Sequence, residues 1–161
     1  MIHAIMSDMI RYFHGDVKRI NHALKVHSFA SLIGKESCSD EREKRIISIA
    51  ALLHDIGIKE AERKYQSSSG KYQEQEGPPI AREILKSYAL EEDIVDRVCF
   101  IIGNHHSYAK IDGTDFQILV EADFLVNIFE DDMSRKSILN VKEKIFRTDS
   151  GIRLLDEMYL G

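Results

Sequence analysis

The sequence predicts an all-α fold in a single domain, a helical bundle over residues 1–161, and three observations support this. Apolar residues recur at helical spacing in one segment after another, as Val26, Ala30 and Ile33 do within 16–34. No stretch alternates apolar and polar residues as a half-buried strand does, and there is no internal repeat. A chain of 161 residues is also long enough to bury a core without disulfides.

The first helices are predicted from their start and stop signals. Residues 1–14 form an amphipathic helix that Gly15 closes. The helix after 16–34 has an N-cap candidate in Ser39 or Asp40, and acidic residues follow in its first turn. Gly57 is its natural C-terminal stop.

The second half begins with a polar interruption and then returns to helices. The stretch "YQSSSGKYQ" at 65–73 is rich in Gly and Ser and is predicted to be a loop or lid. A helix is expected over 73–87, with Pro78 and Pro79 in its first turn or just before it. Further helices are expected over about 91–104, over the nearly all-apolar 116–129 and, as two shorter ones, over the remainder of the chain.

Composition argues against several classes of partner. The formal net charge is −5 and no basic stripe is visible, which argues against a nucleic-acid partner. No apolar run reaches transmembrane length and no signal peptide is visible, so we expect a cytoplasmic protein with no membrane partner. Cys38 and Cys99 lie far apart and outside any C-x-x-C pair, which argues against a zinc knuckle or redox motif. The sequence leaves a homo-oligomer open.

The stretch "AALLHDIG" at 50–57 places His54 and Asp55 side by side at the end of an apolar helix. Neighbours on a helix point about 100° apart, so both side chains reach one point only near a helix end. Gly57 puts the end there. In the simpler interpretation His54 caps the helix C-terminus and Asp55 is a solvated turn residue. The pair alone leaves both interpretations open.

Other polar residues on apolar helix faces favour a metal. His22 lies on or beside the apolar stripe of its helix, and "IIGNHHSY" puts His105 and His106 at the end of another. Asp123 has apolar neighbours one turn away on each side, whereas Glu121 points to a different side and is expected to be exposed. A buried carboxylate is costly unless a cation, a metal or several donors compensate it. A metal would explain the histidines as well.

The ordered set of His22, His54-Asp55 and Asp123 resembles the HD-domain metal-dependent phosphohydrolases. "HALKVHSFA" resembles the first motif helix of that family, "AALLHDIG" its name-giving motif and "EADFLVN" its last motif. The similarity covers roughly residues 16–130, and we expect the helices of 131–161 to pack on this core. The resemblance implies an all-α bundle with a central metal site. It also implies that His22, His54, Asp55 and Asp123 are the ligands of one divalent ion.

Some members of this family have extra histidines and hold two metals. His105 and His106 match the histidines that precede the final aspartate in those members. The histidine on the helix after the HD motif is absent from "KYQEQEGPPIAREIL", where Glu74, which we prefer, or Glu76 could coordinate instead. A carboxylate in place of an imidazole suits hard or borderline ions. Alternatively, these glutamates are first-turn residues that the helix dipole favours.

The resemblance implies hydrolysis of a small phosphorylated substrate, a phosphomonoester or a nucleotide, by metal-activated water. The cofactor would be one or two divalent ions among Fe, Mn, Ni, Co, Zn and Mg, and the histidine count favours a transition metal. Asp55 would orient the nucleophile, and His105 or His106 would contact the phosphate or protonate the leaving oxygen. Lys71 could neutralise a phosphate, although a solvated loop lysine is the simpler interpretation.

Two alternatives remain at this point. Some relatives with the same helical core use a di-iron pair to oxidise substrates with oxygen, and metal identity would discriminate that reaction from hydrolysis. A non-catalytic sensor that binds a nucleotide is the other alternative, and a missing ligand would favour it. The set of four ligands is intact here. No G-x-x-x-x-G-K-[ST] loop is present, so no ATP-driven step is indicated.

Overall fold

The structure, a computed structural model, describes residues 1–38 and 40–161, which form helices and connecting turns with no β-strand. The predicted all-α fold is confirmed. None of the described helices combines the length and apolar composition needed to cross a membrane. A short 3-10 turn covers Tyr108–Lys110. The α-helices of the described residues are α1 (Ile2–Phe13), α2 (Val17–Ser37), α3 (Glu41–Leu53), α4 (Ile58–Tyr65), α5 (Gly70–Leu85), α6 (Glu92–Ile102), α7 (Thr114–Glu130), α8 (Arg135–Lys144) and α9 (Asp149–Tyr159).

Helices α2, α3 and α7 form the centre of the bundle. Each contacts the other two, α6 packs on α3, and α9 packs on α2 and α7. Helix α7 is buried on nearly all sides through its middle, which explains why its sequence is apolar around the whole circumference. Polar side chains on the inner faces of these three helices are therefore held within the core.

The helix starts follow the capping signals of the sequence. The Asp40 side chain accepts the backbone N–H of Arg42 at 3.0 Å and caps α3, while the alternative cap, Ser39, lies outside the described residues. Helix α1 ends at Phe13, next to the predicted stop at Gly15, in a left-handed turn where His14 has φ 36° and Gly15 has φ 86°.

The prediction that the third helix runs to Gly57 is wrong. Helix α3 ends at Leu53, a turn follows, and Gly57 precedes the first residue of α4, a helix that was not among the predicted elements. The glycine is needed for a close approach, since a Cβ there would lie 2.5 Å from the Gly77 nitrogen and 2.6 Å from the Gln73 carbonyl oxygen. The start of α4 thus contacts α5 directly through backbone atoms, with no side chain between them.

Gly57→Ala is expected to lower the free energy of unfolding by about 2–3 kcal/mol, the range for forcing a side chain into a packed contact. The control is Gly34→Ala in α2, where the added Cβ would meet Ile47 at an ordinary 3.6 Å. There the higher helix propensity of alanine should leave stability unchanged or raised by up to about 1 kcal/mol. Denaturant unfolding measures both variants, and equal midpoints would contradict the close approach.

The expected positions of the loop at 65–73 and of the helix at 73–87 are also corrected. Helix α5 begins at Gly70, so the connection from α4 is only 66–69, and Pro78 and Pro79 lie well inside the helix. Proline normally breaks a helix interior because it lacks the N–H group. Here α5 packs along α6, where Pro78 fits against Gly103, and tertiary packing overrides the local preference.

Glu121 was expected to be exposed, and this prediction is wrong, because the residue is fully buried. Its carboxylate accepts hydrogen bonds from the backbone N–H groups of Arg147 at 2.9 Å and Thr148 at 3.1 Å. The Thr148 hydroxyl at 2.6 Å and the Gln117 amide also donate to it. Several donors therefore stabilise this buried charge, and they join α7 to the segment that precedes α9.

Candidate metal centre

Four side chains from three parts of the chain meet in the interior of the bundle. His22 lies on α2, His54 and Asp55 follow the end of α3, and Asp123 lies on α7. The Nε2 atom of His22 is 3.1 Å from His54 Nε2, 3.1 Å from Asp123 Oδ1 and 3.3 Å from Asp55 Oδ2. His54 Nε2 lies 3.4 Å from the same two carboxylate oxygens. His22, His54 and Asp123 thus form a first group of candidate ligands whose ligand atoms all lie within 4.8 Å of one another, and Asp55 lies within 3.4 Å of both histidines.

The end of α3 allows His54 and Asp55 to face the same point. Because α3 stops at Leu53, the two residues lie in the following turn, where their side chains are no longer fixed 100° apart. The sequence predicted this convergence but placed the helix end at Gly57, four residues too late. His54 is fully buried, and His22 and Asp123 are buried beside it.

In His54 and His105, the hydrogen bond of Nδ1 determines that Nε2 is the nitrogen that faces the centre of the cluster. His54 Nδ1–H donates to the Ala51 carbonyl at 2.8 Å, and His105 Nδ1–H donates to the Ile102 carbonyl at 2.8 Å. Since a carbonyl only accepts, these bonds place the proton on Nδ1. The Nε2 atoms of both rings are therefore the nitrogens directed inward, where they could bind a metal.

The charges of the cluster call for a cation. Burial alone would lower the pKa of His54, but the charges of Asp55 and Asp123 outweigh burial and hold that pKa well above its ordinary value. Burial would raise the pKa of Asp123, yet the neighbouring His54 charge and the His22 hydrogen bond hold it well below its ordinary value. The carboxylates therefore stay ionised and need positive charge beside them, which a divalent ion would supply in place of the protons.

A second group of candidate ligands consists of Asp55, His105 and His106, each with one ligand atom within 4.8 Å of the others. Asp55 belongs to both groups in effect, because Oδ2 faces His22 and Oδ1 lies 3.3 Å from His105 Nε2. His105 is buried, and within the described chain its Nε2 has no well-aligned hydrogen-bond partner. Such an orphaned buried atom requires an explanation, and a bound metal would provide one.

Glu74 and Glu76 lie outside both groups. Glu74 accepts the backbone N–H of His106 at 3.2 Å and also the hydroxyl of Ser107, and Glu76 accepts from Lys64 and Tyr65. In this structure both carboxylates therefore accept hydrogen bonds from neighbouring residues of the fold.

Gln73 faces the second group instead. Its side-chain oxygen lies 3.0 Å from His106 Nε2, and its amide nitrogen donates to the Ser68 carbonyl. Gln73 was not among the predicted site residues, since a neutral amide is a weak ligand. No signal in the sequence marks it, because the contact between Gly57 and Gly77 that turns Gln73 inward is visible only in the structure.

His106 is held as a neutral imidazole. Burial and the charge of His105 lower the pKa of His106 to about 4. At neutral pH the ring therefore has a lone pair available. This favours ligand or acceptor roles over the proton-donor role that the sequence had left open.

A cavity of about 350 Å³ opens onto the cluster, a size that suits a small ligand. Lys18 and Arg19 from the first turn of α2 line one part of it, and Glu130 and Asp131 at the end of α7 line another. Lys71, the predicted phosphate-binding lysine, is exposed and lies outside this cavity, with Nζ 5.7 Å from the centroid of the Tyr72 ring. A larger cavity of about 550 Å³ lies elsewhere and does not contact the cluster.

Comparisons with known proteins agree with the geometry. The family model of the HD domain matches residues 19–147. The fold is similar to the crystal structure of a predicted HD superfamily hydrolase from an uncultured Thermotogales bacterium, with a TM-score of 0.67 and 24% sequence identity over 98% of this chain and 84% of that chain. No curated protein matches the sequence. HD domains bind divalent metals, and this chain has His and Asp groups that could hold them. On the match to the family model, the chain belongs to the HD domain family.

Proposed function

We propose that this protein is a metal-dependent phosphohydrolase that cleaves a small phosphomonoester or nucleotide with metal-activated water. The observation that carries the proposal is the convergence of His22, His54, Asp55 and Asp123 on one buried point. Membership of the HD domain family supports hydrolysis as the reaction class.

The residues of the site have separate tasks in this proposal. A divalent ion held there would polarise a phosphoryl oxygen and lower the pKa of a bound water. Asp55 directs one carboxylate oxygen to the first group and the other to His105, and from this position it would orient the attacking water. Lys18 and Arg19 face an anionic substrate across the cavity, although Arg19 also pairs with Asp16 and Glu62.

The donor set favours a transition metal. The two groups supply imidazole and carboxylate ligands and no thiolate, which suits Mn, Fe, Co, Ni and Zn better than Mg. We therefore propose one or two such ions as the cofactor. The substrate partner is a small molecule, since the cavity is small and the net charge of −5 disfavours nucleic acid.

A di-iron oxidoreductase is the second candidate function. The observation that favours it is that Asp55 lies between two ligand groups, as a carboxylate that bridges two irons would. Iron content and an optical or EPR signature of coupled irons would support this alternative. A protein that hydrolyses phosphate esters with Zn or Mn bound would contradict it.

The proposed function is tested by a screen of phosphate esters with untagged protein loaded with Mn or Co. We expect release of inorganic phosphate from at least one small ester. Chelator should abolish this release. A complete lack of hydrolysis across mononucleotides, sugar phosphates and generic aryl phosphates would contradict the proposal.

When both groups are loaded, His105→Ala is expected to reduce the metal content from two ions per chain to one, because it removes the buried nitrogen from the second group. Equilibrium dialysis against Mn²⁺ followed by elemental analysis measures the stoichiometry. The control, His14→Ala, removes an exposed histidine at the end of α1 and should keep both ions. Full metal content in His105→Ala would mean that the second group holds no metal.

A further inference from the structure

Glu130, which was not among the predicted site residues, contacts the candidate metal centre through His22. It is the last residue of α7, two turns after Asp123, so both side chains lie on the same face of the helix. Its Oε1 atom is 2.6 Å from His22 Nδ1, and its side chain is only 17% exposed. This is the shortest polar contact that His22 makes.

His22 needs this contact for a reason that does not apply to the other histidines. His54 and His105 follow helix ends, and each donates Nδ1–H to a backbone carbonyl three residues before it. His22 lies within α2, where the backbone carbonyls already accept the N–H groups of the following turn. Its Nδ1–H therefore requires an acceptor from another element, and Glu130 is that acceptor.

We propose that Glu130 is a positioning residue that holds the His22 ring with Nε2 directed to the metal. The carboxylate fixes the tautomer and the ring orientation, and its negative charge raises the basicity of the ligand nitrogen. Lys25 lies 3.2 Å from the other carboxylate oxygen and restrains the group from outside. The inference rests on the proposed metal function.

Two structural explanations compete with this one. Glu130 could serve only in its ion pair with Lys25, or it could add only to the general negative field of the cavity. Lys25→Met removes the ion pair and leaves the contact with His22. Asp131→Asn removes a charge from the next residue, which lines the same cavity but has no contact with His22. These two variants are therefore the matched controls.

The experiment measures the dissociation constant of Mn²⁺ at one fixed pH, by EPR of the free ion, for the wild type and each variant. We expect Glu130→Ala to bind Mn²⁺ about 10–100-fold more weakly. Glu130→Gln should lose less, because an amide oxygen still accepts Nδ1–H but has no charge. Lys25→Met and Asp131→Asn should stay within about fivefold of the wild type, as exposed charges do.

The melting temperature in the presence of chelator shows whether each variant still folds. If Glu130→Ala does not fold, the affinity of Glu130→Gln for Mn²⁺ tests the inference instead. Wild-type affinity in both Glu130 variants would overturn the inference. So would an equal loss in Asp131→Asn, since that would show a field effect. A wild type that binds no Mn²⁺ would overturn the proposed function itself, and this outcome is distinct from a failure of the comparison between variants.

Discussion

Asp55→Asn is expected to reduce hydrolysis of a phosphate ester by on the order of 10³-fold or more, the scale of losing a metal ligand that also orients the nucleophile. The reason is the double role of this carboxylate. Oδ2 lies among the first group of ligands, 3.3 Å from His22 Nε2, and Oδ1 lies 3.3 Å from His105 Nε2. An amide of the same size loses the charge at both positions. The measurement is kcat/KM of the Mn-loaded protein, with circular dichroism to verify the helical fold.

Asp93→Asn is the matched control for this loss. Asp93 is exposed on α6 and pairs with Arg42 away from the cavity, so its removal should change kcat/KM by less than about fivefold. Activity of Asp55→Asn within tenfold of the wild type would contradict the assigned role of Asp55.

Chelator is expected to lower the melting temperature of the metal-loaded wild type by roughly 5–11 °C and that of Asp123→Asn much less. A ligand that binds only the native state at 100 times its Kd contributes about 2.7 kcal/mol. For a chain of this size each kcal/mol shifts the melting temperature by about 2–4 °C. Asn at 123 keeps the size and some hydrogen bonding of Asp but is a poor ligand, so little metal stabilisation is left to remove.

Glu121→Gln separates a buried carboxylate with a structural role from one that binds metal. Glu121 lies on the same helix two residues away and is equally charged, but its partners are N–H and O–H donors. This variant should be destabilised by about 1–3 kcal/mol, the cost of leaving a buried donor unsatisfied. Its response to chelator should match that of the wild type. A chelator effect as large in Asp123→Asn as in the wild type would mean that Asp123 does not contact the metal.

The fold class could be predicted because helical periodicity is a local property of the sequence. The predicted positions of the helix ends failed where tertiary contacts decide them. Nothing local to Pro78 and Pro79 indicates that packing against α6 carries a helix through them. Likewise, Gly57 looks like a stop signal, and its actual use is the backbone contact with Gly77.

The candidate site was predictable in part for the same reason. His54 and Asp55 are neighbours in sequence, and Asp123 stands out as a charge on an apolar stripe. Glu121 was misplaced because the donors that satisfy it come from residues 147 and 148, which the pattern around 121 does not reveal. Glu130 was missed because its partner, His22, is 108 residues away in the chain.

The side of α5 that faces the site could not be read from the sequence either. Gln73 and Glu74 point about 100° apart, so the rotation of the helix decides which of them reaches the imidazole ring of His106. The close contact of Gly57 with Gly77 fixes that rotation and directs Gln73 inward. To predict which of two adjacent helix residues faces a site, one must know the residues that the helix packs against as well as its helical pattern.

Elemental analysis of the protein purified without an affinity tag tests the central claim most directly. The buried convergence of His22, His54, Asp55 and Asp123 predicts at least one divalent ion per chain, retained through purification or restored by Mn²⁺ or Fe²⁺. An absence of bound metal, together with no change of melting temperature on addition of either ion, would contradict the account.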